Sequence, residues 1–182
     1  MKKLTGILLM FFLFSCRQAP EPRFPVYRTY RKDYSASVYF NKKLFLTEQK
    51  LFDSIARADT AHRYRHNSMG MYYYFIRQND TANYLPQKGD QVVMEYGLYY
   101  IEGDTIYLPE EIGIRTYTVD KEEYFAGLRE AVKMMKEGEE AVFFVPSYLG
   151  YGLLGDAERI QGNTPLKLHL KIHKITPKKN TQ

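Results

Sequence analysis

Cysteine and tryptophan are almost missing from this sequence of 182 residues, which contains one Cys and no Trp. The single cysteine, Cys16, excludes a disulfide within the chain. The length suits one ordinary domain with an appendage, which excludes a two-domain enzyme with a separate cofactor domain. Hydrophobic residues at 45%, including 17 Tyr and 11 Phe, still supply ample material for a folded core.

Acidic residues are too few to balance the basic ones, and the formal charge is +5. The excess comes from Lys2, Lys3 and residues 17–34, where five basic residues accompany two acidic ones. Residues 35–182 carry equal numbers of each sign. Binding to a phosphate backbone needs concentrated positive charge on the domain. The sequence therefore predicts no nucleic-acid partner.

Long apolar runs are also missing. The run Ile7–Phe14 has eight residues, whereas a membrane-spanning helix needs about 20. Because the run follows Lys2 and Lys3, it is typical of a secretory signal, and we expect residues 1–15 to be a signal peptide.

Cys16 stands where this apolar run ends. Leu13 lies three positions before it and small Ser15 directly before it, so the segment resembles a bacterial lipobox, although Phe14 is bulkier than usual. One interpretation is acylation of Cys16, including palmitate, which would anchor the protein to a membrane of the bacterial envelope. The other is a signal peptide whose cysteine is incidental. We favour the first interpretation.

Residues 16–35 are predicted to form a flexible tether. Pro20, Pro22 and Pro25 fall within six residues, which favours extended chain. The basic residues of this stretch are expected either to rest on anionic headgroups or to be simply solvated.

The remaining sequence predicts an α+β fold. Residues 36–85 are expected to be an extension with one helix, from an N-cap at Thr47 to about Arg57, and one strand, Met69–Arg77. The inner face of this helix is expected to carry Leu51, Phe52, Ile55 and Ala56, with Leu46 and Leu51 at staple spacing.

Period-two alternation predicts strands at Gln91–Tyr100 and from Leu166 to Ile172. Shorter strands are expected at Thr105–Leu108, Ile112–Val119 and Ala141–Val145. One amphipathic helix should lie between them, with Asp120 and Glu123 as a capping box and Gly138 as its C-cap. We expect an antiparallel sheet curled over this helix in residues 86–176, followed by a tail, 177–182.

Familiar catalytic patterns are missing or out of context. Gly150–Gly155 matches G-x-G-x-x-G, but Gly162 and Pro165 interrupt the helix that a dinucleotide site requires. Ser147 lacks a nucleophile elbow.

The histidines do not predict a metal site. His169 and His173 should be separated by roughly 13 Å on a strand, and we expect both to be solvated. His62 and His66 are accompanied by basic neighbours. An enzyme with this sequence works without a nucleophile, metal or nucleotide.

Rotation about an X–Pro amide needs none of these groups. Its barrier is about 18–20 kcal/mol, and an apolar aromatic cradle favours the twisted amide over the planar, polar ground state.

Residues from Gly89 to Ile175 resemble the FK506-binding-protein (FKBP) type of peptidyl-prolyl isomerase. The segment KGDQVVMEYGL is similar to the family's G-x-x-V-x-x-x-Y strand. The segment YFAGLREAVKMMKEGEEAVFFVPSYLGYG is similar to its helix, strand and YG loop, and TPLKLHLKIHKI to its last strand. The resemblance implies an FKBP-like fold, proline-containing polypeptide substrates, and no cofactor or metal.

The resemblance also implies the site residues. Tyr96, Tyr151 and Phe125 would be catalytic, with the Tyr151 hydroxyl donating to a substrate carbonyl and Phe125 offering a main-chain N–H. The wider pocket would contain Ile106, Tyr107, Tyr117, Tyr124, Leu128, Ile160 and Leu168.

Several positions depart from the family pattern. Leu128 replaces the usual pocket-floor Trp, which should widen the pocket while keeping it apolar. Ile106-Tyr107 replaces a Phe-Asp pair, which removes an acceptor for Tyr96. The aromatic residue before the helix is replaced by Arg115 or displaced to Tyr117, and Gln161 replaces a Pro.

Two functions follow from these observations. The first is a membrane-tethered isomerase that assists the folding of envelope or secreted proteins. The second is an FKBP-shaped binding or chaperone module with little turnover, since fold does not fix function. The lipobox and N-terminal helix also resemble FKBP-like lipoproteins associated with gliding motility and secretion, which implies possible partners of that kind.

Overall fold

The structure, a computed structural model, describes residues 31–179. The chain divides into two compact units, Met1–Ala36 and Ser37–Gln182. Of the first unit, only the helical residues 31–36 are described. The expected signal peptide, Cys16 and the tether up to residue 30 lie outside the described residues.

The described part of the chain contains helices α1–α3 and strands β1–β7, all of whose pairings are antiparallel. The elements are α1 Arg31–Ala58, β1 Arg65–His66, β2 Tyr72–Arg77, β3 Gln91–Tyr99, β4 Thr105–Tyr107, α2 Pro109–Ile112, β5 Arg115–Thr118, α3 Ala126–Lys133, β6 Glu140–Val145, a 3₁₀ turn Ser147–Leu149, and β7 Leu166–Thr176. The sheet order is β1-β2-β6-β7-β3-β4, and β5 also pairs with β3. This arrangement confirms the predicted α+β class.

The two central strands follow the predicted alternation. In β3, Val92, Met94, Tyr96 and Leu98 are buried, and in β7 the apolar residues from Leu166 to Ile172 are fully buried. These side chains pack with Leu128, Ala131 and Val132 of α3 in the main core. The sheet therefore covers α3 as expected. Strands β1 and β2 from the expected extension join the same sheet.

The predicted capping box of α3 is wrong. Asp120 has a left-handed φ of 54° and belongs to a turn, where its N–H donates to the Tyr117 hydroxyl at 3.0 Å. The helix instead has Phe125 as its N-cap and ends at Lys133. Gly138 is left-handed, with φ of 80°, but it lies beyond the helix, and its N–H donates to the Ile172 carbonyl at 2.9 Å.

Helix α1 is longer than predicted. Thr47 lies inside it, and its hydroxyl donates to the Lys43 carbonyl instead of capping a helix start. Residues 31–35, expected in the extended tether, are helical. Of the expected inner face, Phe52 is buried against Tyr74, Val142 and Phe144 on the second face of the sheet, and Ile55 packs beside it. Leu46 and Leu51 are exposed, so the predicted staple is absent.

The predicted strand Ile112–Val119 begins later than expected. Pro109 opens the short helix α2, because its fixed φ suits the first helical position, and β5 starts only at Arg115. Among residues 31–179, no helix has both the length and the apolar character needed to cross a bilayer.

Candidate active site

The loop after β6 carries Tyr151 and is held by the Asp156 carboxylate. Oδ1 of Asp156 accepts the N–H groups of Glu158, Arg159 and Ile160 at 2.8–3.0 Å. Burial raises the pKa of Asp156, but the hydrogen bonds from the Tyr107 hydroxyl and these N–H groups outweigh it and lower the pKa. The ionised carboxylate therefore acts as a fixed acceptor that closes the loop.

Close backbone packing also shapes this loop. A Cβ on Gly155, where φ is 74°, would lie 2.0 Å from the Ile160 carbonyl oxygen, and a Cβ on Gly162 would lie 1.9 Å from the Leu153 oxygen. Only glycine fits at these positions. The glycines of this segment thus serve a chain reversal and not a nucleotide.

The three predicted catalytic residues belong to two sets of aromatic ring contacts. The ring centroids of Phe125 and Tyr151 are 5.3 Å apart. Tyr124 meets Tyr96 edge-on at 6.4 Å and Tyr117 at 5.3 Å. Edge-on and offset contacts of this kind stabilise aromatic packing, so the ring of Tyr151 is held in a defined position.

Tyr96 and Tyr151 also line a common cleft of about 390 Å³. Its wall combines aromatic, aliphatic and charged side chains: Tyr96, Leu98, Tyr107, Glu111, Ile112, Arg115, Tyr151, Asp156 and Glu158. The expectation of an apolar pocket is therefore wrong for the side formed by α2, β5 and the loop, where the lining is charged.

The hydroxyl groups of Tyr96 and Tyr151 are available to a ligand. Neither hydroxyl makes a hydrogen bond to another described residue, and neither hydroxyl oxygen is fully buried. Burial raises the pKa of Tyr96 to about 12, with the neighbouring Tyr151 adding to the effect. Burial also raises the pKa of Tyr151. Both hydroxyls therefore remain protonated donors at neutral pH.

Phe125 offers a second donor. Its carbonyl accepts the first hydrogen bonds of α3, from Leu128 and Arg129. Its own N–H has no hydrogen-bond partner in the part of the chain that the structure describes. An N–H at a helix start is one of the groups that a ligand can satisfy.

Tyr107 has a different role from the other cleft tyrosines. Its hydroxyl donates to Asp156 Oδ2 at 2.6 Å and lies 3.3 Å from Glu158 Oε2, and the hydrogen bond to Asp156 raises its pKa. The Arg159 guanidinium lies 4.7 Å from its ring centroid and forms a two-pronged ion pair with Glu111 at 2.5 and 3.0 Å. Tyr107 thus links β4 to the Tyr151 loop.

Five predicted pocket residues are buried and do not line the cleft. Ile106, Tyr117, Leu128, Ile160 and Leu168 are each at most 4% exposed and belong to the main core. Neighbouring core side chains cover Leu128, so the wider pocket floor expected at this position stays a prediction. Tyr124 is partly buried, and its ring contacts the ring of the cleft residue Tyr96.

Sequence reasoning missed the acidic part of the cleft. Glu111 lies on the unpredicted helix α2, and Asp156 and Glu158 lie in the loop. The one signal available was Asp156 after Gly155, because Asp commonly accepts N–H groups from the residues that follow it in a turn.

His169 and His173 are paired with carboxylates and are not simply solvated. Nε2 of His169 lies 2.8 Å from Glu140, and Nε2 of His173 lies 3.0 Å from Glu95. His62 contacts Asp59 after the end of α1. Within residues 31–179, no group of three His, Cys, Asp or Glu residues is arranged to hold a metal ion.

An antiparallel sheet over one short helix, with a tyrosine-lined cleft beside the helix start, defines an FKBP-like domain. Solved structures share this fold. FkpA from Escherichia coli matches with a TM-score of 0.60 and 18% identity, over 97% of this chain and 73% of that one. A peptidyl-prolyl cis-trans isomerase from Pseudomonas syringae pv. tomato matches with a TM-score of 0.59 and 16% identity, over 74% of this chain and 96% of that one.

The sequence itself matches the FKBP-type peptidyl-prolyl cis-trans isomerase family over residues 83–173. The chain belongs to this family. A curated relative, described as a probable FKBP-type peptidyl-prolyl cis-trans isomerase FkpA from Neisseria meningitidis serogroup B, is 31% identical over 111 residues. The match covers 61% of this chain and 40% of the relative's length.

Proposed function

We propose that this protein catalyses cis-trans isomerisation of X–Pro bonds in polypeptides of the bacterial cell envelope. The observation that supports the proposal best is the pairing of Tyr96 and Tyr151 at one cleft, with hydroxyl groups that no described residue occupies. Membership of the family gives the reaction type.

The chemistry of the cleft suits this reaction. The prolyl ring packs against the rings of Tyr96, Tyr151 and Phe125, which exclude water from the amide. The Tyr151 hydroxyl and the Phe125 N–H donate to substrate carbonyls and hold the chain on either side of the bond. The amide loses resonance as it twists, so a cradle that replaces solvent favours the transition state. No proton or electron pair is transferred.

The charged side of the cleft should influence which polypeptides bind. Glu111 and Arg159 neutralise one another at close range, and Asp156 is satisfied by its own loop. Arg115 lines the cleft from β5, at one of the two positions, 115 and 117, that the family resemblance allows for an aromatic residue. It gives the cleft a cation near the substrate.

The reaction can be tested directly with the full chain. Exchange between cis and trans forms of a short X–Pro peptide is measured by NMR with and without the protein. The uncatalysed exchange takes tens to hundreds of seconds, and we expect the protein to shorten it measurably at substoichiometric amounts. An unchanged exchange rate in the presence of bound peptide would contradict the proposal.

A binding or chaperone module with little turnover is the second candidate. It is supported by the acidic residues in the cleft and by Leu128, which places an aliphatic core residue where the family pattern has Trp. This candidate predicts suppressed aggregation of an unfolded protein at equimolar amounts, with no acceleration of X–Pro exchange. The possible association with a motility or secretion apparatus belongs to this candidate and rests on the sequence resemblance alone.

The proposal includes a lipid anchor in the envelope, facing the periplasm or the cell surface. It is supported by Lys2, Lys3, the apolar run Ile7–Phe14 and the position of Cys16 directly after them.

The anchor predicts that Cys16→Ser prevents acylation and leaves the protein unprocessed or released from the membrane. Mass spectrometry of the mature N-terminus and fractionation of cells check this. Ser15→Ala is the matched control, since it keeps a small residue before the cysteine and should remain acylated. An unmodified N-terminus in the wild-type protein would refute the anchor.

A further inference from the structure

The helix α1 and the loop after β6 enclose a second cavity of about 500 Å³, separate from the tyrosine cleft. Phe45 and Glu48 line it from the helix, and Ser147, Tyr148, Leu153 and Asn163 line it from the other side. The Phe45 and Tyr148 rings meet edge-on at 5.8 Å, and the Tyr148 hydroxyl donates to the Met69 carbonyl. The walls are therefore built from packed side chains.

Glu48 is the unusual member of this lining. It is 4% exposed, and its Oε2 accepts the Ser147 N–H at 3.1 Å. Its Oε1 is the one buried side-chain oxygen or nitrogen that lacks a hydrogen-bond partner within residues 31–179. A buried carboxylate is costly unless both oxygens are satisfied. A buried polar group of this kind calls for an explanation such as a ligand.

The surroundings of Glu48 indicate what that ligand presents. Phe45 and Leu153 are apolar, and Leu153 is 71% exposed although it lies beside the cavity. The other charged residue of the lining is Lys42, which is exposed. A lysine or arginine side chain suits such a site because its aliphatic stem packs on apolar walls while its head donates to the carboxylate.

Burial raises the pKa of Glu48, and hydrogen bonds from the Ser147 hydroxyl and N–H offset only part of this effect. A cation beside Oε1 would favour the ionised carboxylate and offset that effect.

The loop after β6 lines both this cavity and the tyrosine cleft. Tyr151 lines the tyrosine cleft, and the next two residues, Gly152 and Leu153, line the cavity. The cleft and the cavity therefore have one loop as a common wall.

We infer that the cavity between α1 and the Tyr151 loop binds a basic side chain of the polypeptide substrate, through the carboxylate of Glu48. This inference deepens the proposed function and rests on it, because the occupant is the same polypeptide. It gives the protein a second contact that selects substrates with Lys or Arg near an apolar residue.

The test uses the full chain and two labelled, proline-free peptides that differ only in having lysine or norleucine within an apolar stretch. Binding is measured by fluorescence anisotropy. The lysine peptide should bind about tenfold to hundredfold more tightly, the range expected for a buried charge-assisted hydrogen bond. Glu48→Gln should abolish this preference, and the exposed turn variant Glu102→Gln should retain it.

A second variant covers the case in which Glu48→Gln alters folding. Leu153→Ser changes an exposed wall residue and should weaken the lysine peptide severalfold. Equal binding of both peptides to the wild-type protein, an unchanged preference in Glu48→Gln, or unchanged binding in Leu153→Ser would overturn the inference. Because the peptides lack proline, failure here is distinct from failure of X–Pro exchange, which is measured on a short peptide without lysine.

Discussion

The Tyr151 hydroxyl is the single side-chain group on which the proposed reaction depends most directly. Its ring packs against Phe125, and its hydroxyl makes no hydrogen bond to a described residue. The fold therefore positions Tyr151 through its ring and leaves its polar tip for substrate.

Tyr151→Phe should lower isomerase efficiency by roughly threefold to tenfold, because a neutral hydrogen bond contributes about 0.5–1.5 kcal/mol net. Stability should hardly change, since the hydroxyl has no partner among the described residues. NMR exchange and chemical denaturation measure the two effects.

Tyr84→Phe is the matched control for this variant. It removes a hydroxyl that donates to Asp90, and neither residue lines the cleft, so activity should be retained and stability should fall slightly. Loss of stability with unchanged activity in Tyr151→Phe would identify Tyr151 as a purely structural residue.

Leu128 lies in the main core and not in the lining of the cleft. The sequence resemblance placed it on a pocket floor, but the structure buries it completely among core side chains. Leu128→Trp should therefore overpack the core and lower the free energy of unfolding by about 1–3 kcal/mol.

Leu128→Met, which nearly conserves volume, is the control and should cost less than about 1.5 kcal/mol. Denaturant titration compares the three proteins. A Trp variant of unchanged stability and higher isomerase activity would show that space for the indole exists after all.

At the scale of elements, strands were predictable and helix ends were not. Alternation in β3 and β7 depends on one buried face, which each strand's own sequence reveals. The start of α3 depends on the turn at Asp120, where the Tyr117 hydroxyl accepts the N–H and no side chain caps the helix. That contact joins residues from a strand and a turn, and no local pattern predicts it.

The candidate site divides in the same way. Tyr96 and Tyr151 could be predicted because each lies in a motif that is continuous in sequence. The Tyr107 hydrogen bond to Asp156 and the contact of the Arg159 guanidinium with the Tyr107 ring each join residues about 50 positions apart, so they appear only once β4 and the loop are adjacent.

The loop that carries Tyr151 depends on Gly155. A Cβ there would overlap the Ile160 carbonyl, and φ is left-handed. Gly155→Ala should destabilise the protein by about 2–4 kcal/mol, combining a backbone cost of about 1–2 kcal/mol with overpacking. It should also reduce isomerase activity, because Tyr151 loses its position.

Gly113→Ala is a control for backbone strain without a steric overlap, since Gly113 has φ of 75° and ψ of 174°, a conformation that glycine alone adopts readily, and nothing lies within 4 Å of its Cβ position. It should show only the backbone cost. Denaturation curves and X–Pro exchange rates compare the two variants. Equal effects of both substitutions would mean that the loop tolerates the added methyl group.

For the whole molecule, one face of the sheet packs on α3, and part of the other face packs on α1. The main core lies between the sheet and α3, and a smaller cluster of Phe52, Tyr74, Val142 and Phe144 lies under α1. Aromatic composition predicted that a core exists but not that it divides in two, because the sequence does not state which strand neighbours which. The pairing of β2 with β6 creates the second cluster.

Buried carboxylates should set how the stability of the whole molecule depends on pH. Asp90 is 2% exposed and accepts the Tyr84 hydroxyl and the N–H groups of Gln87 and Lys178. Burial raises the pKa of Asp90, but these hydrogen bonds outweigh it and bring the pKa below its ordinary value of 3.8, as they do for Asp156. The pKa of Glu48 is shifted in the opposite direction, because burial raises it.

A carboxylate with a lowered pKa in the folded protein stabilises the fold above its unfolded pKa, and this contribution is lost as pH falls through the folded pKa. The free energy of unfolding should therefore decrease as the pH is lowered below about 4.

Asp90→Asn and Asp156→Asn should each be less stable than wild type at neutral pH, with the difference shrinking on acidification. Glu48→Gln should instead gain stability at neutral pH and lose that advantage at low pH. Urea titrations from pH 7 to pH 3 measure all four proteins, and parallel curves would contradict these assignments.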